Sequence, residues 1–100
     1  IYTARNIKAD EALRIGLVNA VYPLDELYAA AEKLAGQIAA NAPIAVRAAK
    51  RAINEGLDLA MDDAVVVEEK AFGSCFQTAD QQEGMGAFLE KRRHEPFTNQ

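Results

Sequence analysis

An all-α fold is predicted by three features of the 100-residue sequence. Apolar residues recur at three- and four-residue steps, which aligns them along one side of a helix. Glycine, proline and asparagine interrupt these runs where a helix has to start or stop. Thr78 with Gln81 three residues on is a capping-box pattern, in which each side chain satisfies a main-chain N–H at a helix start. There is no internal repeat and no low-complexity linker.

The elements follow in order. Ala9 to Ile15 carries Asp10 and Glu11 early and Gly16 after its end, the pattern of a short helix. Leu17 to Tyr22 reads as an extended connector, and Ile1, Tyr2 and Thr3 are β-prone. A longer helix is expected from Pro23, with Leu24, Leu27, Ala31, Leu34 and Ile38 as its apolar stripe and Asn41 closing it. Pro43 suits the first turn of the next helix, because proline has no N–H to leave unpaired there. That helix is expected to turn Ile44, Val46, Ala49 and Ile53 to one side and to end at Gly56 as a C-cap. A further helix is expected from near Asp58 through Ala64, Val67, Phe72 and Phe76, with Asp62, Asp63, Glu68 and Glu69 on its solvated side. The last begins at Thr78, groups Met85, Phe88 and Leu89, and places Lys91, Arg92 and Arg93 in its final turn, where cations complement the helix dipole. Gly84 and Gly86 each cost about 1 kcal/mol relative to alanine inside a helix, so keeping both implies a close approach to its surface. The final residues, Pro96 to Gln100, read as a trailing end.

Half of the residues are apolar, enough for one compact domain that buries about two thirds of its unfolded surface. Eleven basic residues face fifteen acidic ones, a net charge of −4, and Lys91–Arg93 is the only local basic cluster, so nucleic acid is not expected as a partner. Cys75 is the single cysteine and His94 the single histidine, which leaves no disulfide and no zinc-type spacing. No apolar run approaches the ~20 residues of a membrane span. A reducing cytoplasmic setting without membrane or metal is the expectation. The start at Ile1, without methionine and inside a β-prone stretch, leads us to expect a missing upstream part.

Three stretches carry a resemblance. They are Ala9-Asp10-Glu11-Ala12-Leu13-Arg14-Ile15-Gly16-Leu17-Val18-Asn19-Ala20-Val21, then Asn41-Ala42-Pro43 through Lys50, then Thr78, Asp80, Glu83-Gly84-Met85 and Ala87-Phe88-Leu89-Glu90-Lys91-Arg92. In this order and spacing they resemble the C-terminal helical, trimerisation-type segment of the crotonase (enoyl-CoA hydratase) superfamily. Asn6-Ile7-Lys8-Ala9-Asp10 and Ala71-Phe72-Gly73-Ser74-Cys75-Phe76 look closest to short-chain 3-hydroxybutyryl-CoA dehydratases. Ala4 departs from the pattern, since many members carry glycine there.

The resemblance implies that residues 1–22 end a connector from an upstream core and that residues 23–100 form a helical assembly segment. It implies a parent enzyme that reversibly hydrates trans-2-enoyl-CoA such as crotonyl-CoA, with two glutamates and an oxyanion hole in about 160 upstream residues. No catalytic residue and no metal ligand is therefore assigned in this chain, which by itself is expected to be inactive. Coenzyme A enters as part of the acyl-CoA thioester substrate, so no separate cofactor is implied, and the implied assembly is a homotrimer or a dimer of trimers. An isomerase, acyl-CoA hydrolase or synthase of the same superfamily stays open, as does a non-enzymatic helical interaction module.

Phe88 and Lys91 are three residues apart, which would set a ring and a cation side by side on one helix face. On the resemblance both are coenzyme A contacts. The plainer alternative makes Phe88 core and Lys91 a helix-end charge. Phe72 matches a position near the acyl site and is read either way. The Asp62, Asp63, Glu68 and Glu69 carboxylates are read as a solvated face, His94 as a surface residue, and Cys75 as buried packing rather than a nucleophile.

Overall fold

The computed structural model describes residues 2–100, and these hold five helices and no strand: α1 Ala9–Arg14, α2 Leu24–Ala39, α3 Pro43–Gly56, α4 Met61–Cys75 and α5 Ala79–Leu89. The all-α expectation is met. Ile1 of the β-prone opening lies outside the described residues, and Tyr2 and Thr3 form a turn rather than a strand. The chain divides into two compact units, one ending at Ala35 and one running from Gly36 to Gln100.

In the first unit, Ala4 has φ +50°, in the left-handed region that glycine enters without steric cost. A glycine, which the resemblance leads one to expect here, would take this conformation without that cost. Arg5 then grips Glu11 with both guanidinium nitrogens, each at 2.8 Å, and this hydrogen bonding lowers the Glu11 pKa. α1 stops as its sequence predicts: Gly16 takes φ +75°, its N–H donates to Leu13, and the N–H of Leu17 donates to Ala12 at 2.9 Å. These two bonds make a Schellman closure, which satisfies carbonyls the helix would otherwise leave unpaired. Ala12 is the buried residue of the element. α2 begins where Pro23 accepts from the N–H groups of Glu26 and Leu27, and none of its residues is buried.

In the second unit the Asn41 side-chain amide donates to the carbonyl of Gln37 at 2.8 Å and so closes α2, as expected. Pro43 occupies the first turn of α3. α3 and α4 pack as a hairpin across the four residues 57–60. Small residues line their seam: Ala48 and Ala71 are buried, and a Cβ on Gly56 would lie 3.5 Å from that of Ala64.

Here the structure departs from the apolar stripes read from sequence. Ile53, Phe72 and Phe76 are largely exposed, and alanines close the hairpin. Short side chains allow the two backbones to approach at the seam, and the larger ones stand beside it with much of their surface exposed. Gly56 is the last residue of α3, with Leu57 as a right-handed C-cap, so no left-handed glycine cap forms. α4 begins at Met61 rather than near Asp58, because Ala60 is still extended at ψ 152°. Asp62, Asp63, Glu68 and Glu69 are exposed, as the sequence indicates.

α5 starts at Thr78, whose hydroxyl accepts from the N–H of Gln81 at 3.1 Å. The reciprocal half of the expected capping box does not form, since the N–H of Thr78 is already donated to the carbonyl of Cys75. The final residues do not trail away. Asp80 is 3% exposed, and its carboxylate accepts from the N–H of Thr98 at 2.6 Å, the hydroxyl of Thr98 at 3.2 Å and the N–H of Asn99 at 2.9 Å. The main-chain oxygen of Gln100 accepts from the N–H of Ala79 at 2.7 Å, and Arg47 of α3 donates to the Asn99 side chain at 2.6 Å. Phe97 lies over Gly84, but a Cβ there would stand 3.6 Å from the ring, an ordinary van der Waals contact, so this approach does not require glycine.

The two-thirds burial expected from composition is not reached. The chain exposes 8681 Å², against about 5,600 Å² for a compact monomer of its mass, so a little under half of the unfolded surface is removed from water. Among the described residues the buried apolar ones are Ala12, Ala48, Ala71 and Ala87, and no large side chain is fully buried.

Asp80→Ala is expected to cost about 1–3 kcal/mol, because two main-chain N–H groups lose a charged acceptor. Faster tryptic cleavage after Arg92 and Arg93 and faster amide exchange at Thr98 are the accompanying signs.

Candidate functional site

Two surfaces hold the residues singled out from sequence. The first is a cleft of ≈ 600 Å³ between α3 and α4. Ile53, Leu57, Met61, Val65 and Phe72 supply its larger apolar side chains, and Glu68 its charged one. Phe72 is 66% exposed and sits edge-on to Phe76, ring centroids 5.1 Å apart at 74°. Cys75 also lines this cleft; it is half-buried rather than fully buried, and its thiol donates to the carbonyl of Ala71 at 3.4 Å. A surface of this kind offers apolar contact and no acid–base pair.

The second surface is the end of α5. The helix stops at Leu89 with no cation in its last turn, so the expected placement of Lys91, Arg92 and Arg93 inside the helix is corrected. Lys91 instead adopts φ +54°. Its N–H donates to the carbonyl of Phe88 at 3.2 Å, and that of Arg92 donates to Ala87 at 3.0 Å, the same Schellman closure that ends α1, here with lysine where glycine is favoured. A left-handed conformation costs a residue with a Cβ about 1 kcal/mol.

The next residue is tied back to the helix. The Arg92 guanidinium makes a two-pronged contact with Glu83, at 2.6 and 3.0 Å, and a third with Glu90 at 2.6 Å. Had the helix continued, Arg92 would not turn back along α5 to reach Glu83. Glu83 also accepts from the N–H of Glu95 at 2.7 Å, and the His94 ring stacks on Phe97 with centroids 4.3 Å apart.

Phe88 and Lys91 are therefore neighbours, but through a main-chain bond across a left-handed turn and not along one helix face. Phe88 is 78% exposed, which excludes the core alternative within this chain. Neither residue lines the α3/α4 cleft, so Phe72 stands on a different surface. Among the described residues Lys91 makes no ion pair, while Glu90 and Arg92 on either side of it are tied to each other. Sequence reasoning missed Asp80, Glu83 and Arg92 as the groups that order this end. The available signal was the pair of carboxylates three apart at the start of α5, followed by an arginine beyond its end.

The Glu83 carboxyl is lowered from its ordinary 4.5 to about 2, first by the hydrogen bond from Arg92, then by the N–H of Glu95, with smaller electrostatic contributions from Arg92 and His94. The same pairing raises Arg92.

The sequence profile described as Enoyl-CoA hydratase/isomerase matches residues 1–100, and the chain belongs to that family. It is 54% identical over 99 residues to the Short-chain-enoyl-CoA hydratase of Clostridium acetobutylicum, covering 99% of this chain and 38% of that protein. It is 53% identical over 93 residues to the Crotonyl-CoA hydratase of Syntrophomonas wolfei, covering 93% of this chain and 36% of the relative. The crystal structure of an enoyl-CoA hydratase from Bacillus anthracis superposes with a TM-score of 0.93 at 40% identity, over 100% of this chain and 38% of that one. The chain thus spans little more than a third of the length of these relatives.

Lys91→Gly is expected to stabilise the fold by about 1 kcal/mol by removing the left-handed strain, read as a higher melting temperature. The Glu83–Arg92 contact should show a particular acid response. A folded pKa below the unfolded value gives stabilisation that is complete above pH 4.5 and lost as pH falls through about 2. The protection factor of the Glu95 amide, its exchange relative to an unstructured amide at the same pH, is therefore expected to hold at pH 5 and to fall between these limits.

Proposed function

We propose that this chain is the helical part of a short-chain enoyl-CoA hydratase, equally a 3-hydroxybutyryl-CoA dehydratase, that reversibly hydrates trans-2-enoyl-CoA thioesters of crotonyl size. The observation that carries the reading is the 54% identity to a short-chain enoyl-CoA hydratase across 99% of the chain. The two glutamates that act on water and the N–H groups that polarise the thioester carbonyl belong to residues outside this chain. Residues 1–22 lead from that catalytic core, and residues 23–100 form the assembly segment, through which the protein forms a homotrimer or a dimer of trimers. Support for assembly is physical: exposed apolar area on this scale is normally covered by further protein. The protein acts in the cytoplasm; among the described residues no helix is long and apolar enough to cross a membrane.

In this reading Phe88 and Lys91 contribute to the coenzyme A site and Phe72 to the acyl side. An exposed ring offers a face to adenine or pantetheine, and an ammonium without a carboxylate partner is a point charge suited to a phosphate. Coenzyme A is the handle of the substrate, so no separate cofactor is needed.

The test is hydration of crotonyl-CoA, followed by loss of enoyl-thioester absorbance. Turnover is expected from the full-length protein and none from residues 1–100 alone; hydration by residues 1–100 above a buffer control would sink the assignment of catalysis elsewhere. In the full-length protein Lys91→Ala is expected to raise KM about tenfold while changing kcat less than twofold, because a contact remote from the reacting carbons contributes uniform binding. An unchanged KM would remove Lys91 from the site.

A further inference from the structure

We infer that Glu83 is a positioning residue for Lys91: by holding Arg92 it fixes the left-handed turn from which the Lys91 ammonium is presented to a coenzyme A phosphate. The inference rests on the proposed role of Lys91 as a phosphate contact and adds a residue that touches no substrate.

Three observations carry it. Lys91 sits at φ +54°, a conformation that its own side chain disfavours and that something else has to hold. The residue after it supplies the hold, since Arg92 closes the turn through its N–H to Ala87 and fastens its guanidinium to both oxygens of Glu83, 2.6 and 3.0 Å away. The residue before it is fixed as well, because Glu90 accepts from Arg92 at 2.6 Å. Both flanks of Lys91 are thereby locked while its own ammonium is left without an ion pair among the described residues. Glu83 is the anchor common to this arrangement: it sits inside α5, in register with the helix, and it also binds the N–H of Glu95. A two-pronged guanidinium–carboxylate contact fixes direction as well as distance, which a single ammonium contact does not.

The experiment uses the full-length protein and two substrates, crotonyl-CoA and crotonyl-pantetheine, the second lacking the nucleotide phosphates. Lys91→Ala, Glu83→Gln, Arg92→Lys and the Glu83→Gln/Lys91→Ala double variant are compared. Glu83→Gln is expected to raise KM for crotonyl-CoA about fivefold with kcat within twofold, and to leave KM for crotonyl-pantetheine unchanged. In the Lys91→Ala background the same substitution is expected to add nothing, the coupling that two residues acting through one contact must show. Arg92→Lys keeps the charge, loses the fork and is expected to behave as Glu83→Gln, so it serves if that variant does not fold. If Lys91→Ala leaves KM unchanged, the coenzyme A reading of Lys91 fails and this inference falls with it. If Lys91→Ala raises KM but Glu83→Gln does not, or raises it equally for both substrates, or adds in full to Lys91→Ala, positioning by Glu83 is wrong and the reading of Lys91 survives.

Discussion

Close approach of helices through alanine is the constraint on which the second unit depends. Ala48 of α3 and Ala71 of α4 are buried, and a Cβ on Gly56 would stand at van der Waals distance from that of Ala64. A seam of such short side chains brings two backbones together at little cost in side-chain entropy, since alanine has no rotamers to lose. The consequence is geometric. Larger apolar side chains, among them Ile53, Met61, Phe72 and Phe76, stay largely exposed, and Ile53, Met61 and Phe72 line the open cleft beside that seam. The hairpin closes, yet it removes little hydrophobic surface from water.

That imbalance connects packing to biology. A chain of this composition has the apolar content for a core, but among the described residues the buried apolar ones are four alanines. Apolar burial contributes about 25 cal/mol per Å², so a surface excess of this size is a large unrealised stabilisation. The chain belongs to the enoyl-CoA hydratase/isomerase family and spans little more than a third of the length of its relatives, and on the proposed function these faces are covered by further protein.

α5 follows a different logic, in which charge rather than apolar area organises the chain. Asp80 and Glu83 are three residues apart on the same helix, and each captures main-chain N–H groups from the residues that follow. Asp80 does so while almost wholly buried, where an unpaired carboxylate would be costly and three donors offset that cost. The Glu83–Arg92 contact is part-exposed, and its effect on the fold is correspondingly one of direction more than of stability. It sets where the chain goes after Leu89, and with it the conformation of Lys91.

The sequence by itself determined the helical class, the closing glycine of α1, the prolines that open α2 and α3, and the Thr78 cap of α5, because each of these depends on groups within a few residues of one another. Family membership was legible for a related reason: three stretches in order and spacing need no knowledge of contacts. Which side of each helix faces inward was not legible, since periodicity marks an apolar stripe but does not say whether a neighbour will come close enough to prefer Ala71 to Phe72. Nor was the path of the last residues. Arg92 meets Glu83 nine residues back, and Thr98 meets Asp80 eighteen residues back, so a stretch that looked like a trailing end becomes an ordered one. Local chemistry was decided in the sequence; burial and chain direction were decided only when distant groups met, because only then does a side chain have a neighbour to exclude it or an opposite charge to hold it.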